Sequence, residues 1–406
     1  MTIYDRFGIK TLINAAGPKT RLGGIRMAPE VLRAMEEAAD SSVDMAYLQA
    51  AAGRVIAAHT GAEAGYVTSG AAAGLTLGAA ACITGLDAAI IDRLPFTDGV
   101  PNEIVIPRSH RNSYDHAWRA AGARLVEVGL DDRTAGSGVR SLDPWELEAA
   151  ISERTVAVAY VANRRDGPPL REIAAVAHNY GLPVLVDAAA QLPPVENLRA
   201  FIDAGADLVS FSGGKAIGGP QGTGVLCGRR DLIQAALLNH LDMDMYAAHW
   251  SPPPDLFPGV KTLHLPRHGI GRGFKVSKEN VIGLLVALQR FVDGAWREDL
   301  NARQEMVREL LEAASGHGLV APELNTVNGE PRLALRFEPT ELAAQVLHRL
   351  EEGEPAIAVD PNDLAGGCLV VNPVGLDREE GRIVAARLSD VLTSLSEGMP
   401  AKRAML

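Results

Sequence analysis

A chain of 406 residues with 47% apolar content is long enough for two or three domains with sizeable cores. Acidic residues (50) outnumber basic ones (39), the net charge is −11 and no basic stripe gathers on any segment, so nucleic acid is excluded as an expected partner. Cys82, Cys227 and Cys368 are scattered and odd in number, the acid-bearing start Met1–Arg6 has no apolar leader, and no run reaches the ~20 strongly apolar residues of a membrane span; a cytoplasmic protein with reduced thiols is expected.

The chain opens on a turn-rich segment, Asn14–Gly24, and then a helix from Pro29 to about Ala39, with proline in its first turn. Residues 1–50 are expected to pack with a small domain and the active site. Residues 51–255 form the large domain, in which apolar runs of strand length alternate with helical stretches. The strands are placed at Gly65–Thr68, Glu103–Pro107, Arg124–Val128, Val156–Val161, Val184–Asp187, Leu208–Phe211 and Gly224–Cys227, with a buried Ala/Gly-rich helix over Gly70–Leu86 and helices at Leu142–Ser152 and Leu170–Tyr180. This alternation predicts an α/β fold with a mainly parallel seven-stranded sheet covered on both faces. Residues 256–406 read as a linker helix, Lys278–Trp296, and a small α+β unit: a helix to about Ser315, strand Arg332–Phe337, helix Thr340–Leu350, strand Cys368–Val371 and helix Arg378–Leu395. The pairs Arg164-Arg165 and Arg229-Arg230 are expected on surface turns, and Gly398–Leu406 as a frayed tail.

Chemistry concentrates at strand ends. Asp187 closes Leu185-Val186, and Lys215 follows Leu208–Phe211 in a loop of small residues, Ser212-Gly213-Gly214 before it and Ala216-Ile217-Gly218-Gly219 after it. Each residue alone is equally well read as a solvated strand terminus. Together, a carboxylate and an amine on neighbouring strand ends match the needs of pyridoxal 5′-phosphate (PLP), with Lys215 forming the Schiff base and Asp187 keeping the pyridine nitrogen protonated. The glycines let a bulky cofactor approach the backbone. Ser69, Gly70 and Ala71 open the Ala-rich helix, where backbone N–H groups can hold the phosphate, and Ser212 can add a hydroxyl. His110, just beyond Glu103–Pro107, is the candidate to stack on the ring, ahead of His116. No metal is expected: His-Glu-x-x-His and Cys-x-x-Cys are absent, and His264 and His268 have no carboxylate nearby in sequence to complete a set.

These motifs resemble fold-type I PLP-dependent enzymes, in particular the group around selenocysteine synthase and D-glucosaminate-6-phosphate ammonia-lyase. The likeness rests on the Asn14 segment with Arg21-Leu22-Gly23-Gly24, Val43-Asp44-Met45, Val67–Ala73, His110-Arg111-Asn112, Val186–Ala190, Ser212–Lys215 with Gly219-Pro220-Gln221, and Gly271-Arg272 with Lys275-Val276. It implies a large PLP domain, a small C-terminal domain and a homodimer or larger assembly with sites at the subunit interface. It also implies a lyase for a small polar amino acid, working through an external aldimine and a Cα carbanion toward a 2-keto acid and ammonia. Aldolase, racemase and aminotransferase chemistry share the carbanion, and a PLP-binding regulatory protein is the non-enzymatic alternative. Two segments depart from the ammonia-lyase pattern: Pro18-Lys19-Thr20 stands for Thr-Tyr-Thr, and Arg272-Gly273-Phe274 for Arg-Pro-Met. Arg272 is the leading candidate for the substrate carboxylate, Arg336 its rival, and Lys19 a further cationic contact.

Overall fold

A computed structural model describes residues 2–130, 142–162, 168–254, 256–258 and 264–397. Arg164-Arg165 and the 398–406 tail lie outside the described residues. The strands, in chain order, are β1 (Leu12–Ala15), β2 (Ala64–Thr68), β3 (Glu103–Pro107), β4 (Arg124–Val128), β5 (Thr155–Val161), β6 (Val184–Asp187), β7 (Leu208–Ser212), β8 (Gly224–Gly228), β9 (Val320–Val327), β10 (Glu330–Phe337), β11 (Ala356–Asp363) and β12 (Cys368–Val371). The chain divides into two compact units, Met27–Val292 and Met1–Arg26 with Asp293–Leu406.

The larger unit is the expected fold: a seven-stranded sheet in the order β2-β8-β7-β6-β5-β3-β4. β8 runs antiparallel to both neighbours and every other pair is parallel. Two reversals about β8 leave β2 pointing the same way as β7, so β2, β3, β5, β6 and β7 all deliver their C-terminal ends to one edge. Strands buried on both faces read as continuous apolar runs, which is why these were legible without alternation. The helix Ala71–Thr84 is buried over most of its length, and its small residues let it lie close to the sheet. A side chain on Gly78 would already touch Leu208 and Leu185.

The smaller unit has a five-stranded sheet, β1-β11-β12-β10-β9, in which β1 is parallel to β11 and the remaining pairs are antiparallel. One face carries Ile13, Leu333, Leu335, Phe337, Ile357, Val359, Leu369 and Val371, packed in a single core with Leu310, Val346, Leu388 and Leu392 from the helices. Ala334, Cys368 and Val370 form a separate buried group and occupy the opposite face.

Three strands were not anticipated. β1 is only four residues long with Ile13 and Ala15 its buried positions, β9 has no buried residue, and β11 carries Pro361 where its register with β12 shifts between Asp360 and Asp363. The division into units also departs from the sequence reading. The helix Pro29–Ala39 and the helix Lys278–Val292 both fall in the larger unit, where Lys278 Nζ donates to the Ala38 carbonyl at 2.5 Å and the Ala39 carbonyl at 3.1 Å. The linker helix stops at Val292, short of Trp296, because Gly294 takes φ 98°, and a second helix, Ala295–Ala314, begins there.

Candidate active site

The edge where the parallel strands end collects Ser69, Gly70 and Ala71 after β2, His110 after β3, Asp187 at the end of β6, and Ser212 and Lys215 at and after β7. Asp187 is in register with Val161 on one side and Ser210 on the other, so it stands between the β5 and β7 ends. Its carboxylate accepts the Ala189 N–H at 3.1 Å. Burial pushes its pKa up from the ordinary carboxylate value, against the lowering influence of that hydrogen bond and of the Lys215 charge. A largely buried carboxylate beside a lysine, with one backbone donor, is under-solvated as an anion. A pyridinium N–H would supply the partner it lacks.

That shift carries a stability consequence. The folded chain holds the Asp187 proton more tightly than the unfolded chain, so the carboxylate is neutral in its effect below the unfolded pKa and destabilising above the raised folded one. Cofactor-free Asp187→Asn should therefore gain thermal stability over cofactor-free wild type as pH rises from about 4 toward 7. Superimposable melting temperatures across that range would show that burial imposes no penalty on this carboxylate.

The Lys215 loop is closed by its own backbone. Gly213 N–H donates to Thr223 O at 2.8 Å, Gly219 N–H to Gly213 O at 2.9 Å, and Gly218 N–H to Lys215 O at 2.9 Å. Thr223 Oγ1 also donates to Pro220 O at 2.6 Å. Glycine is required sterically at Gly214, where a Cβ would sit 2.6 Å from Gln221 Cα and 2.8 Å from Gln221 O. Gly214→Ala should cost on the order of 1–3 kcal/mol and displace Lys215, read as a lower melting temperature together with slower cofactor incorporation. Wild-type behaviour in both would mean that the loop relaxes freely.

At the β2 end, Gly70 takes φ 97° and no side chain caps the helix Ala71–Thr84. The first intrahelical bond runs from Gly74 N–H to Gly70 O at 3.2 Å, so the N–H groups of Ala71, Ala72 and Ala73 precede it and remain available to an anion. A Cβ on Gly70 would meet nothing within 4 Å, which leaves the approach open. Ser69 behaves differently from the sequence expectation. Its hydroxyl donates to the Phe274 carbonyl at 2.6 Å, and with one proton to give it must exchange that acceptor before donating to a phosphate. His240 Nε2 reaches the same carbonyl at 3.2 Å while its Nδ1 is 2.8 Å from the Tyr66 hydroxyl. Burial lowers the His240 pKa, and the neutral ring with its proton on Nε2 satisfies both contacts. Sequence reasoning missed His240 because a histidine at the end of an ordinary helix carries no signal of a partner 34 residues on.

His110 is fully buried, its Nδ1 accepting the Val161 N–H at 3.2 Å and its ring edge-on to Tyr160 at 4.8 Å. The ring is thereby fixed at the β5 end, beside the strand that carries Asp187.

Two similarities decide what this arrangement belongs to. The chain is 34% identical over 407 residues to a 5′-C-glycyluridine monooxygenase-decarboxylase of a Streptomyces species, covering 96% of this chain and 92% of the relative. It is 32% identical over 403 residues to D-glucosaminate-6-phosphate ammonia lyase of Salmonella typhimurium, covering 96% and 97%. The model of the family aminotransferase class-V matches residues 101–253. The chain is a class-V, fold-type I PLP-dependent enzyme. A solved D-glucosaminate-6-phosphate ammonia-lyase superposes with TM-score 0.78 at 30% identity over 97% of this chain and 99% of that one. L-seryl-tRNA(Sec) selenium transferase of Edwardsiella ictaluri is 27% identical over 71% of this chain and 59% of its own. PLP is the cofactor, and the buried carboxylate, the lysine loop and the uncapped helix start fit its ring nitrogen, aldehyde and phosphate respectively.

The three cations proposed for substrate are each engaged. Arg272, in the turn Ile270–Phe274, has Nε 3.1 Å from Asp242 Oδ2 and Nη2 3.8 Å from Asp244 Oδ2. Lys19 and Arg336 belong to the smaller unit, Lys19 Nζ 2.8 Å from Asp360 and Arg336 Nε 3.6 Å from Glu323. His268 lies 3.4 Å from Asp244, and among the described residues no three His, Cys, Asp or Glu gather as metal ligands. No described helix is long and apolar enough to cross a membrane.

Proposed function

We propose that this enzyme removes a β-substituent and the amino group from a small polar amino acid, releasing a 2-keto acid and ammonia. The observation that carries the reading is the Asp187–Lys215 pair at adjacent strand ends, in a chain 32% identical end to end to an ammonia lyase. PLP, when bound, supplies the electron sink for charge released at Cα. Lys215 anchors the cofactor and then, as a free amine, takes the Cα proton, a task suited to a partly buried lysine in a glycine loop. Asp187 holds positive charge at the ring nitrogen. Gly70, Ala71 and Ser212 hold the phosphate, with Ser69 joining if it leaves Phe274, and His110, fully buried, would brace the ring face only once its ring is uncovered. Arg272 takes the substrate carboxylate by exchanging Asp242. The enzyme works in the cytoplasm as a homodimer or larger homo-oligomer, which light scattering of the holoenzyme checks.

The relative named a monooxygenase-decarboxylase favours a second outcome, loss of carbon dioxide with oxygen consumption. One assay separates the two: holoenzyme with a panel of D- and L-amino acids, scored for keto acid, ammonia, carbon dioxide and oxygen uptake. Keto acid with equimolar ammonia and no oxygen uptake supports elimination. Oxygen-dependent carbon dioxide release, or an aldehyde, amino-group exchange or inverted amino acid without ammonia, contradicts it.

A further inference from the structure

Arg332, on the smaller unit, was not singled out from the sequence, yet it is a partly buried cation with no carboxylate of its own. It sits on β10, four residues before Arg336, but Arg336 is exposed and Arg332 is not. The Arg332 Nε is buried and has no hydrogen-bond partner among the described residues. Asp360 and Glu330 are the carboxylates whose charge acts on it, and burial lowers its pKa in spite of them. Neither is at its sole disposal. Glu330 is gripped by Arg303 through Nε at 2.8 Å and Nη2 at 2.9 Å, and Asp360 is 2.8 Å from Lys19 Nζ.

Register explains the gathering. Ala334 pairs with Val370 and Val370 with Asp360, so β10, β12 and β11 present these three on one row of the sheet face opposite the helices. Arg332, two residues before Ala334, points to the same face. Lys19 arrives from the segment after β1, which Asn14 shapes by donating to Gly17 O at 3.0 Å and Gly24 O at 2.9 Å. Lys19 and Arg332 therefore draw on the same Asp360 while Glu330 is held by Arg303, so Arg332 has no carboxylate of its own and its Nε is left without a hydrogen-bond partner among the described residues. Such a charge is costly unless an anion completes it, and a guanidinium fork fits planar or tetrahedral oxyanions.

We propose that Arg332 and Lys19 form an oxyanion-binding site on the smaller unit, taking a carboxylate or phosphate group, with Asp360 as the internal carboxylate that the ligand displaces. The test uses borohydride-reduced holoenzyme, so that the cofactor's own phosphate position is filled, and follows melting temperature at constant ionic strength. Inorganic phosphate or malonate should raise it above the chloride control in wild type. Arg332→Met should abolish the difference, Arg332→Lys should keep part of it, and Asp360→Asn should tighten binding by about tenfold as its competition is removed. Aspartate and alanine then separate the sources: a response to aspartate but not alanine marks an acidic amino acid as ligand, and a response to phosphate or malonate alone marks a free anion. Phosphate and malonate no better than chloride, or equal shifts in wild type and Arg332→Met, overturn the proposal. Because no turnover is required, that failure is distinct from failure of the elimination reaction.

Discussion

Lys215→Ala should leave a folded protein with no turnover and no covalently held cofactor. The loop keeps its shape through bonds made by backbone and Thr223, including Gly218 N–H to the Lys215 carbonyl, none of which needs the lysine side chain. The side chain is only partly buried, so its removal opens no core cavity. What is lost is the covalent anchor and the base at Cα. Base removal alone is worth on the order of 10²–10⁴ in rate, and losing the anchor adds to it. The check is paired: a single cooperative melting transition of the cofactor-free variant, and no steady-state product. Turnover within tenfold of wild type would mean that another amine does the chemistry.

Asp187→Asn should bind PLP and yet turn over on the order of 10²–10⁴ times more slowly, about 3–5 kcal/mol in barrier. The amide keeps the size and can keep the contact to Ala189 N–H, so the β6 end should not move. It cannot hold positive charge on the ring nitrogen, so the electron sink weakens while the phosphate and Lys215 contacts persist. The split is diagnostic: cofactor retained, kcat collapsed, KM changed little. A variant that lost PLP outright would place Asp187 in binding more than in catalysis, and one with normal kcat would remove it from the ring nitrogen.

Much of the larger unit was legible because its physics is local. Strands such as Ile104-Val105-Ile106 and Val184-Leu185-Val186 are buried on both faces and announce themselves as apolar runs, and Asp187 closes the second of them at the edge proposed for the cofactor. Asp187, Lys215 and the Ser69 turn were singled out this way as candidates. What escaped depends on contacts between distant segments. β11 has a proline and a register shift, so its pattern is broken where Asp360 meets Lys19. His240 matters through a carbonyl contributed by Phe274. Arg332 and Arg336 look alike on one strand, and only burial and neighbouring pairs separate a charge that lacks a full partner from one beside Glu323.

The most direct test of the central claim is the address of the cofactor. Holoenzyme reduced with borohydride, digested and mapped by mass spectrometry should carry one pyridoxyl group, on the peptide containing Lys215. Asp187→Asn should label at the same place, and Lys215→Ala should not label. A pyridoxyl group on the exposed Lys275 or on any other lysine, with Lys215 unmodified, would contradict the assignment of this strand-end loop as the catalytic centre.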